Sequence, residues 1–476
     1  MDAYLAATTL PSLLSVILTT SLAATFLPVF TEVRQKNPEE AWDAAVLFMN
    51  LVAVAGLVAC AVGMIFAAPI LRLLTPGLDP SRLPLATELL RWLLPTVALT
   101  AVNQLLSGVY YAHGKFLAPG LIRVTAPLTT IVLILTLSER LHVRSLVLAT
   151  LIAHTLQTGV LWAGSTRMGK LSLRFKPDWN HPAVRKTLRL TLPLMAAMGF
   201  YKLGPAFERW VASGLGTGAI SILGYATRLT SVVQPVLISG IAISGFSLMA
   251  EQVAKRDLEG MKSLMSRSCG ALFFASVPLA VLLAGFAHPL IALVYERGAF
   301  TPDNTSDTAR LFALYALGLP AGAVGTVVGQ AFYAFQDTRL PIIAGILDLG
   351  LFAGLATCLV PYWGLAALPT AFVFSLYVTT ILITTRLAHK TGFSLWPLFA
   401  RPFTQSLVSA LIALMAGWGL QAFPPLSPAG SLAPSMLASA CGLTLSVVTY
   451  FLVQRFVFRS AEASSLLRLF PGRKTA

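Results

Sequence analysis

Apolar residues run along this chain in stretches of about 20 or more, broken by short polar segments. Each stretch can cross a hydrocarbon core of roughly 30 Å at about 1.5 Å per residue. Taken in order, the pattern predicts spanning helices at about 1–30, 44–74, 84–113, 118–139, 145–167, 187–213, 218–249, 268–296, 307–335, 340–361, 363–388, 400–424 and 431–458. That makes about thirteen, and strand-like alternation appears nowhere at length. The expected class is an all-α polytopic membrane protein with two parallel-repeat lobes and two added C-terminal helices.

Local punctuation supports the helix limits best between Leu293 and Pro341. Gly298 reads as a helix C-cap; Thr301-Pro302-Asp303 reads as an N-cap, an N1 proline and a first-turn acid. Asp337-Thr338 before Pro341 reads as a tight turn, and one long apolar helix is expected in between. Composition agrees: 56% of the 476 residues are hydrophobic, 11% are charged, and the mean hydropathy is +0.77, which does not describe a soluble core under a polar surface. Cys60, Cys269, Cys358 and Cys441 all lie inside apolar runs, where a small hydrophobe is the expected role.

Charge changes the picture by orienting the chain. One set of loops is basic: Arg34 and Lys36; Arg167, Lys170, Arg174, Lys176, Arg185, Lys186 and Arg189; Lys255, Arg256, Lys262 and Arg267; Arg386, Lys390 and Arg401; then the tail with Arg455, Arg459, Arg468, Arg473 and Lys474. The intervening loops carry little beyond Arg82 and Arg297, so the basic set, with the C-terminus, is expected on the cytoplasmic side. The formal charge of +15 is therefore mostly topology, with attraction to membrane lipids as an addition. Nothing soluble is large enough for a nucleic-acid site.

An internal repeat organises the helices. Tyr111-Ala112 followed by Pro119 recurs as Tyr333-Ala334 followed by Pro341, an offset of 222 from Tyr111 to Tyr333. Applied throughout, it pairs the five helices from 1–30 to 145–167 with the five from 218–249 to 363–388, all running in the same direction. The expected domains are an N-terminal lobe at 1–168, a basic cytoplasmic linker at 169–186, a C-terminal lobe of six helices at 187–390, two further helices at 391–458, and a basic tail at 459–476. Such duplication places a transporter's site between its halves. The helix at 187–213 has no counterpart in the first half, so a first helix is expected to precede residue 1 in the repeat.

Polar residues surviving inside spans are the candidates for chemistry, because a charge in lipid is costly unless it faces a cavity or a partner. The sharpest group is Lys202, Glu208 and Arg209 on one arm of a hairpin and Arg228 on the other. Lys202 and Arg228 each lie about 13 residues from the turn, hence about 20 Å below the surface. A wet cavity that accepts an anion explains two cations at one level; pairing of Glu208 with Lys202 or Arg209, or snorkelling, is the competing reading. Arg123, just inside the helix at 118–139, is a further substrate-binding candidate that can reach cytoplasmic headgroups, with a positive-inside anchor as the competing reading. Asn103, Gln104, His154, Gln157, Gln234 and Gln330 are expected to be helix-packing residues. No phosphate loop, no H-E-x-x-H and no soluble domain is present, so an enzyme is not expected.

The RGAFT loop at 297–301, the AFYA turn ending in Asp337-Thr338 and Pro341, the opening Asp2-Ala3-Tyr4-Leu5 and the stretch Gly224-Tyr225-Ala226-Thr227-Arg228-Leu229 resemble the MurJ/MviN family of lipid II flippases in the multidrug/oligosaccharidyl-lipid/polysaccharide exporter superfamily. The resemblance implies fourteen helices in the family and a missing first one here. It further implies no cofactor, a lipid-tail groove formed by the last two helices, and an alternating-access flippase of the bacterial inner membrane. The cargo would be a lipid-linked, pyrophosphate-bearing saccharide such as lipid II, moved from the inner to the outer leaflet, with cell-wall or polysaccharide synthesis proteins as partners. Asp348 and Thr370 fall where some relatives hold a sodium ion; that ion or the membrane potential would couple transport. This sequence departs from the family at Ser15-Val16, where an arginine pair is usual, and at Ala226-Thr227-Arg228 with Ser231, where ADR and a glutamate are usual. Another lipid-linked oligosaccharide, for exopolysaccharide synthesis, is therefore the runner-up. A drug or cation antiporter, which should bury carboxylates, and a non-transporting scaffold are the remaining alternatives.

Overall fold

The computed structural model describes residues 1–166, 168, 181–201, 203–335, 337, 339–392, 396–421, 432–460 and 462. Helices account for nearly all of them, and no strand occurs among the described residues. Ten stretches there are long and apolar enough to cross a membrane, residues Pro302–Ala334 and Arg339–Thr391 each counting once although each holds two helices. The chain divides into two units, 1–221 and 222–476.

In the first unit, α1 (Asp2–Lys36) packs on α4 (Leu83–Ala112), on α2 (Pro38–Ile65) and on α7 (Pro182–Tyr201). A one-residue break at Phe66 separates α2 from the short α3 (Ala67–Leu74). The helices α5 (Leu117–Leu141) and α6 (Val143–Thr166) form a hairpin, and α8 (Leu203–Ser213) contacts α1 and α3. The helix α2 begins before its apolar run because Asn37 caps it: its Oδ1 accepts from the Glu39 and Glu40 N–H groups at 3.1 and 3.3 Å, with Pro38 in the first turn. Helix start and membrane entry are different events, which is why the hydrophobic pattern placed this helix at 44. The same holds for Asp257, which caps the helix beginning at Leu258, ten residues ahead of the expected 268.

The second unit starts inside α9 (Ala219–Ala254) and continues with α10 (Leu258–Gly285), α11 (Ala287–Tyr295), α12 (Pro302–Ala316), α13 (Leu319–Ala334), α14 (Arg339–Trp363), α15 (Ala367–Thr391), α16 (Trp396–Gln421) and α17 (Leu432–Leu452). The repeat is visible in element limits. Both α5 and α14 have 25 residues, and Leu117 and Leu141 lie 222 before Arg339 and Trp363. The α2/α3 break at Phe66 has its counterpart at Phe286 between α10 and α11. Within each unit the corresponding helices choose corresponding partners: α2 packs on α4 as α10 does on α12 and α13, and α5 on α6 as α14 does on α15. Residues 187–213, assigned by sequence to the second lobe, fall in the first unit, where α7 packs along α1. Thr25 and Thr191 hydroxyls meet at 2.7 Å in that contact.

Between Thr301 and Pro341 the capping expectations are met, but the long helix is two. Thr301 caps α12 with Pro302 and Asp303 in its first turn, while Gly298 takes φ +61° two residues beyond the Glu296 cap of α11. The chain breaks at Leu317-Gly318 because Pro320, at the second position of α13, has no N–H to continue the ladder. Asp337 does more than turn the chain. Its Oδ1 accepts from Arg339 N and its Oδ2 pairs with Lys390 Nζ at 2.6 Å, while the Lys390 ammonium lies 5.7 and 5.5 Å from the Phe332 and Phe335 ring centres. Thr338 lies outside the described residues. Cys60 and Cys269 are buried and Cys358 and Cys441 exposed, all as free thiols.

Candidate functional site

Small and polar residues on α1 leave room beside α4 and α5. A cavity of about 590 Å³ opens there, bordered by Thr19, Thr20, Ala23, Gln104, Tyr111 and Arg123. The α5 helix is nearly bare along its length, so Arg123, next in sequence to the buried Ile122, is exposed at this cavity. Gln104 also faces the cavity, whereas Asn103, its neighbour, points to α6 and donates to Gln157 Oε1 at 3.2 Å. Of the residues expected only to pack helices, Gln104 therefore stands apart. The cavity offers one guanidinium, an amide and hydroxyls, a set suited to a polar, anionic group.

The other expected cations are distributed over both units. On α8, Glu208 is buried, and Arg209 is half-buried with Nη1 donating to Thr9 Oγ1 of α1 at 3.0 Å. Arg228 is exposed on α9 in the second unit, within electrostatic reach of the Tyr295 hydroxyl. There Tyr225, Tyr295 and Phe300 form an aromatic cluster with ring centres 4.9 to 5.8 Å apart. Lys202 lies outside the described residues, as do linker residues 169–180 and the tail from 463.

Asp348 on α14 accepts from Thr379 Oγ1 of α15 at 3.3 Å and is also hydrogen-bonded by Ser375. Thr370 instead turns its hydroxyl to Ala366 O on its own helix at 2.8 Å. Nine residues separate it from Thr379, roughly 13 Å along α15. The hydroxyl groups that meet this carboxylate are thus Thr379 and Ser375. Sequence inspection could have found them only by matching depths across the α14/α15 hairpin, whose turn at Gly364–Ala366 sets the register.

Asp2 was legible only as part of an opening motif, and the structure makes it a node. Its carboxylate is buried and accepts from Arg82 Nη1 at 3.0 Å, from Gly218 N at 2.6 Å, and from Ser221 N and Oγ at 3.0 and 2.5 Å. Gly218 and Ser221 form the first turn of α9, so the first residue of α1 supplies the cap that α9 lacks in its own Gly-rich turn. Gly216 and Gly218 both take positive φ there, at 105° and 92°. Gly77 N, donating to Ser213 Oγ at 3.1 Å, ties a second loop to the same end of the unit.

Comparison with known proteins adds the following. The family model for lipid II flippase MurJ matches residues 1–440. A probable lipid II flippase MurJ of Bdellovibrio bacteriovorus is 26% identical over 470 residues, covering 94% of this chain and 87% of that protein. The lipid II flippase MurJ of Burkholderia cenocepacia is 26% identical over 424 residues, covering 86% and 81%. Among solved structures, a lipid II flippase MurJ in an inward closed conformation superposes with a TM-score of 0.79 at 20% identity, covering 96% of this chain and 93% of that one. A multidrug resistance MATE family transporter in an inward-facing conformation gives 0.73 at 19% identity, covering 82% and 91%.

Proposed function

Because the chain belongs to the MurJ family of lipid II flippases, we propose that it carries lipid II from the inner to the outer leaflet of the bacterial inner membrane by alternating access. It is a multi-pass membrane transporter and not an enzyme; its substrate is a lipid-linked saccharide. The observation that carries the reading is the 590 Å³ cavity of the first unit, a largely apolar space with the Arg123 guanidinium, Gln104 and the Thr19 and Thr20 hydroxyls at its wall. A pyrophosphate crossing the bilayer loses its hydration, and guanidinium contacts offset that loss. Arg123, Arg209, Arg228 and Lys202 are the proposed contacts, with Glu208 orienting one of them.

The same relatives favour lipid II over another lipid-linked oligosaccharide. Sequence alone kept that runner-up because two arginines are missing at Ser15-Val16. The positive-inside bias of the loops supports a cytoplasmic position for the basic set and the C-terminus. An apolar pocket of about 300 Å³ lined by Phe273, Tyr377, Ile381, Phe399 and Phe403, where α10, α13, α15 and α16 meet, would seat part of the lipid tail. Asp348, with Thr379 and Ser375, is the proposed cation ligand if sodium couples transport, and cell-wall synthesis proteins are the proposed partners. The test uses cells that depend on this protein and measures lipid-linked precursor held in the inner leaflet. Arg228→Ala is expected to abolish transport with insertion intact, and Arg123→Gln and Lys202→Ala to weaken it about tenfold. Full activity of the Arg228→Ala, Lys202→Ala double variant at normal expression would refute the mechanism.

A further inference from the structure

A polar pocket of about 230 Å³ lies in the second unit where α10, α16 and the end of α17 come together. None of the residues proposed to contact lipid II lines it. Its floor is a buried polar network. Ser406 and Gln454 are 3% and 1% exposed, Gln454 Nε2 donates to Ser409 Oγ at 3.2 Å, and both Ser406 and Gln454 are hydrogen-bonded with Tyr450, whose hydroxyl donates to Phe274 O at 2.7 Å. Its rim carries Arg401, five residues into α16, and Arg459, just past α17. Both are exposed and at the same end of the helix pair. Glu462 stands opposite, in the space left by Gly270: a Cβ there would lie 2.7 Å from Glu462 Oε1. Two guanidiniums against one carboxylate leave the rim with a net positive charge of one.

The backbone is shaped to hold this rim. Residues 453–457 form a π turn, and Arg459 takes φ +50°, a left-handed conformation that costs a non-glycine residue about 1–2 kcal/mol. The Phe458 and Ser460 N–H groups close on Val453 O and Gln454 O at 3.2 and 3.0 Å, so the chain turns back and sets Arg459 over the pocket. The left-handed residue caps the helix by letting the flanking N–H groups satisfy last-turn carbonyls, and the same turn brings Arg459 to the edge of the buried polar floor. Basic pockets between helix ends lie at the depth of phospholipid headgroups.

We propose that this pocket binds the phosphodiester of an anionic glycerophospholipid. Arg401 and Arg459 hold the phosphate oxygens, and Glu462 and Gln405 accept from headgroup hydroxyls. The net positive rim favours an anionic headgroup over a zwitterionic one.

The test is lipid retention by the full-length protein, released from nanodiscs of phosphatidylglycerol and phosphatidylcholine and weighed by native mass spectrometry. The wild type is expected to retain phosphatidylglycerol over phosphatidylcholine about tenfold, the Arg401→Gln, Arg459→Gln variant to lose that preference, and the Arg401→Lys, Arg459→Lys variant to keep most of it. Arg140→Gln, at a helix end of the first unit, is expected to change nothing. An unchanged preference in the double glutamine variant, or equal loss in Arg140→Gln, overturns the site. Displacement of the lipid by inorganic phosphate alone overturns the lipid assignment in favour of a free phosphate. All variants change exposed side chains, and a thermal midpoint in phosphatidylcholine equal to wild type establishes that the loss is one of binding.

Discussion

The helices α2 and α10 occupy the same place in the order of their units, yet 33% of the spanning stretch of the first is buried and 61% of the second. The difference is α16 and α17. They pack along α10, with Ala410 and Ala413 fully buried, Leu414 against Gly285, and Trp418 Nε1 donating to Gly285 O at 3.3 Å. On α2 the residues Leu57 and Ile65 stand 67% and 71% exposed. Both helices are strongly apolar, because lipid tails solvate a leucine as well as a protein core does. What selects the covered face is small residues that let backbones approach. A Cβ on Gly417 would lie 2.6 Å from Gly442 O and 3.0 Å from the Phe286 ring.

The largest effect is therefore expected from Gly417→Leu, which should destabilise the second unit by about 2–3 kcal/mol through overpacking. Thermal unfolding in detergent measures it; an unchanged midpoint would mean that α16 and α17 rest loosely on α10. Next comes the anchor of the first unit. Asp2→Ala leaves the Gly218 and Ser221 N–H groups without their acceptor, at about 2 kcal/mol, and hydrogen exchange at these amides should accelerate. The residue 222 positions on from Asp2 is Gly224, so the second unit has no equivalent carboxylate, and slow exchange in the variant would break the contrast.

A smaller effect is expected at the repeated Tyr-Ala turn. In the second unit it is pinned by Asp337 to Lys390, and the ammonium holds that carboxyl below the usual carboxylate range. A depressed folded value means that the stabilisation is complete above the unfolded pKa, about 3.9, and fades as pH falls through the lower folded one. Proteolysis within 335–340 should rise only in that acid window, and Asp337→Asn should remove the pH dependence. In the first unit the corresponding turn holds no such pair among the described residues: His113 stacks on Trp42 at 5.1 Å instead. The smallest change is expected for Leu57→Ala on the bare face of α2, within about 0.5 kcal/mol. A loss comparable to that of Gly417→Leu would show that α2 is covered after all.

Much of the fold could be read in advance. Hydropathy gave the spans, Tyr111-Ala112 and Tyr333-Ala334 gave the repeat, and Thr301-Pro302-Asp303 gave a helix start, because each depends on residues near in sequence. Helix limits shifted at Asn37 and Asp257 because a cap can start a helix ahead of its apolar run. The break at Leu317-Gly318 follows from Pro320, a local signal that hydropathy does not carry.

The site was less legible. Arg123 and Gln104 were visible as polar residues in apolar runs, but that they border one cavity depends on α1, α4 and α5 meeting. Asp348 was visible too, while its choice of Thr379 over Thr370 follows from hairpin register. Sequence by itself determined which segments cross the membrane, their repeat and the charge bias of their loops, since transfer to lipid and local capping are additive over neighbouring residues. Only the tertiary structure decided that Asp2 caps a helix more than 200 residues away, that α7 packs along α1, and that Arg401 and Arg459 share a pocket. Those depend on backbone approach between distant helices, and in an apolar solvent hydrophobicity carries no record of which faces meet.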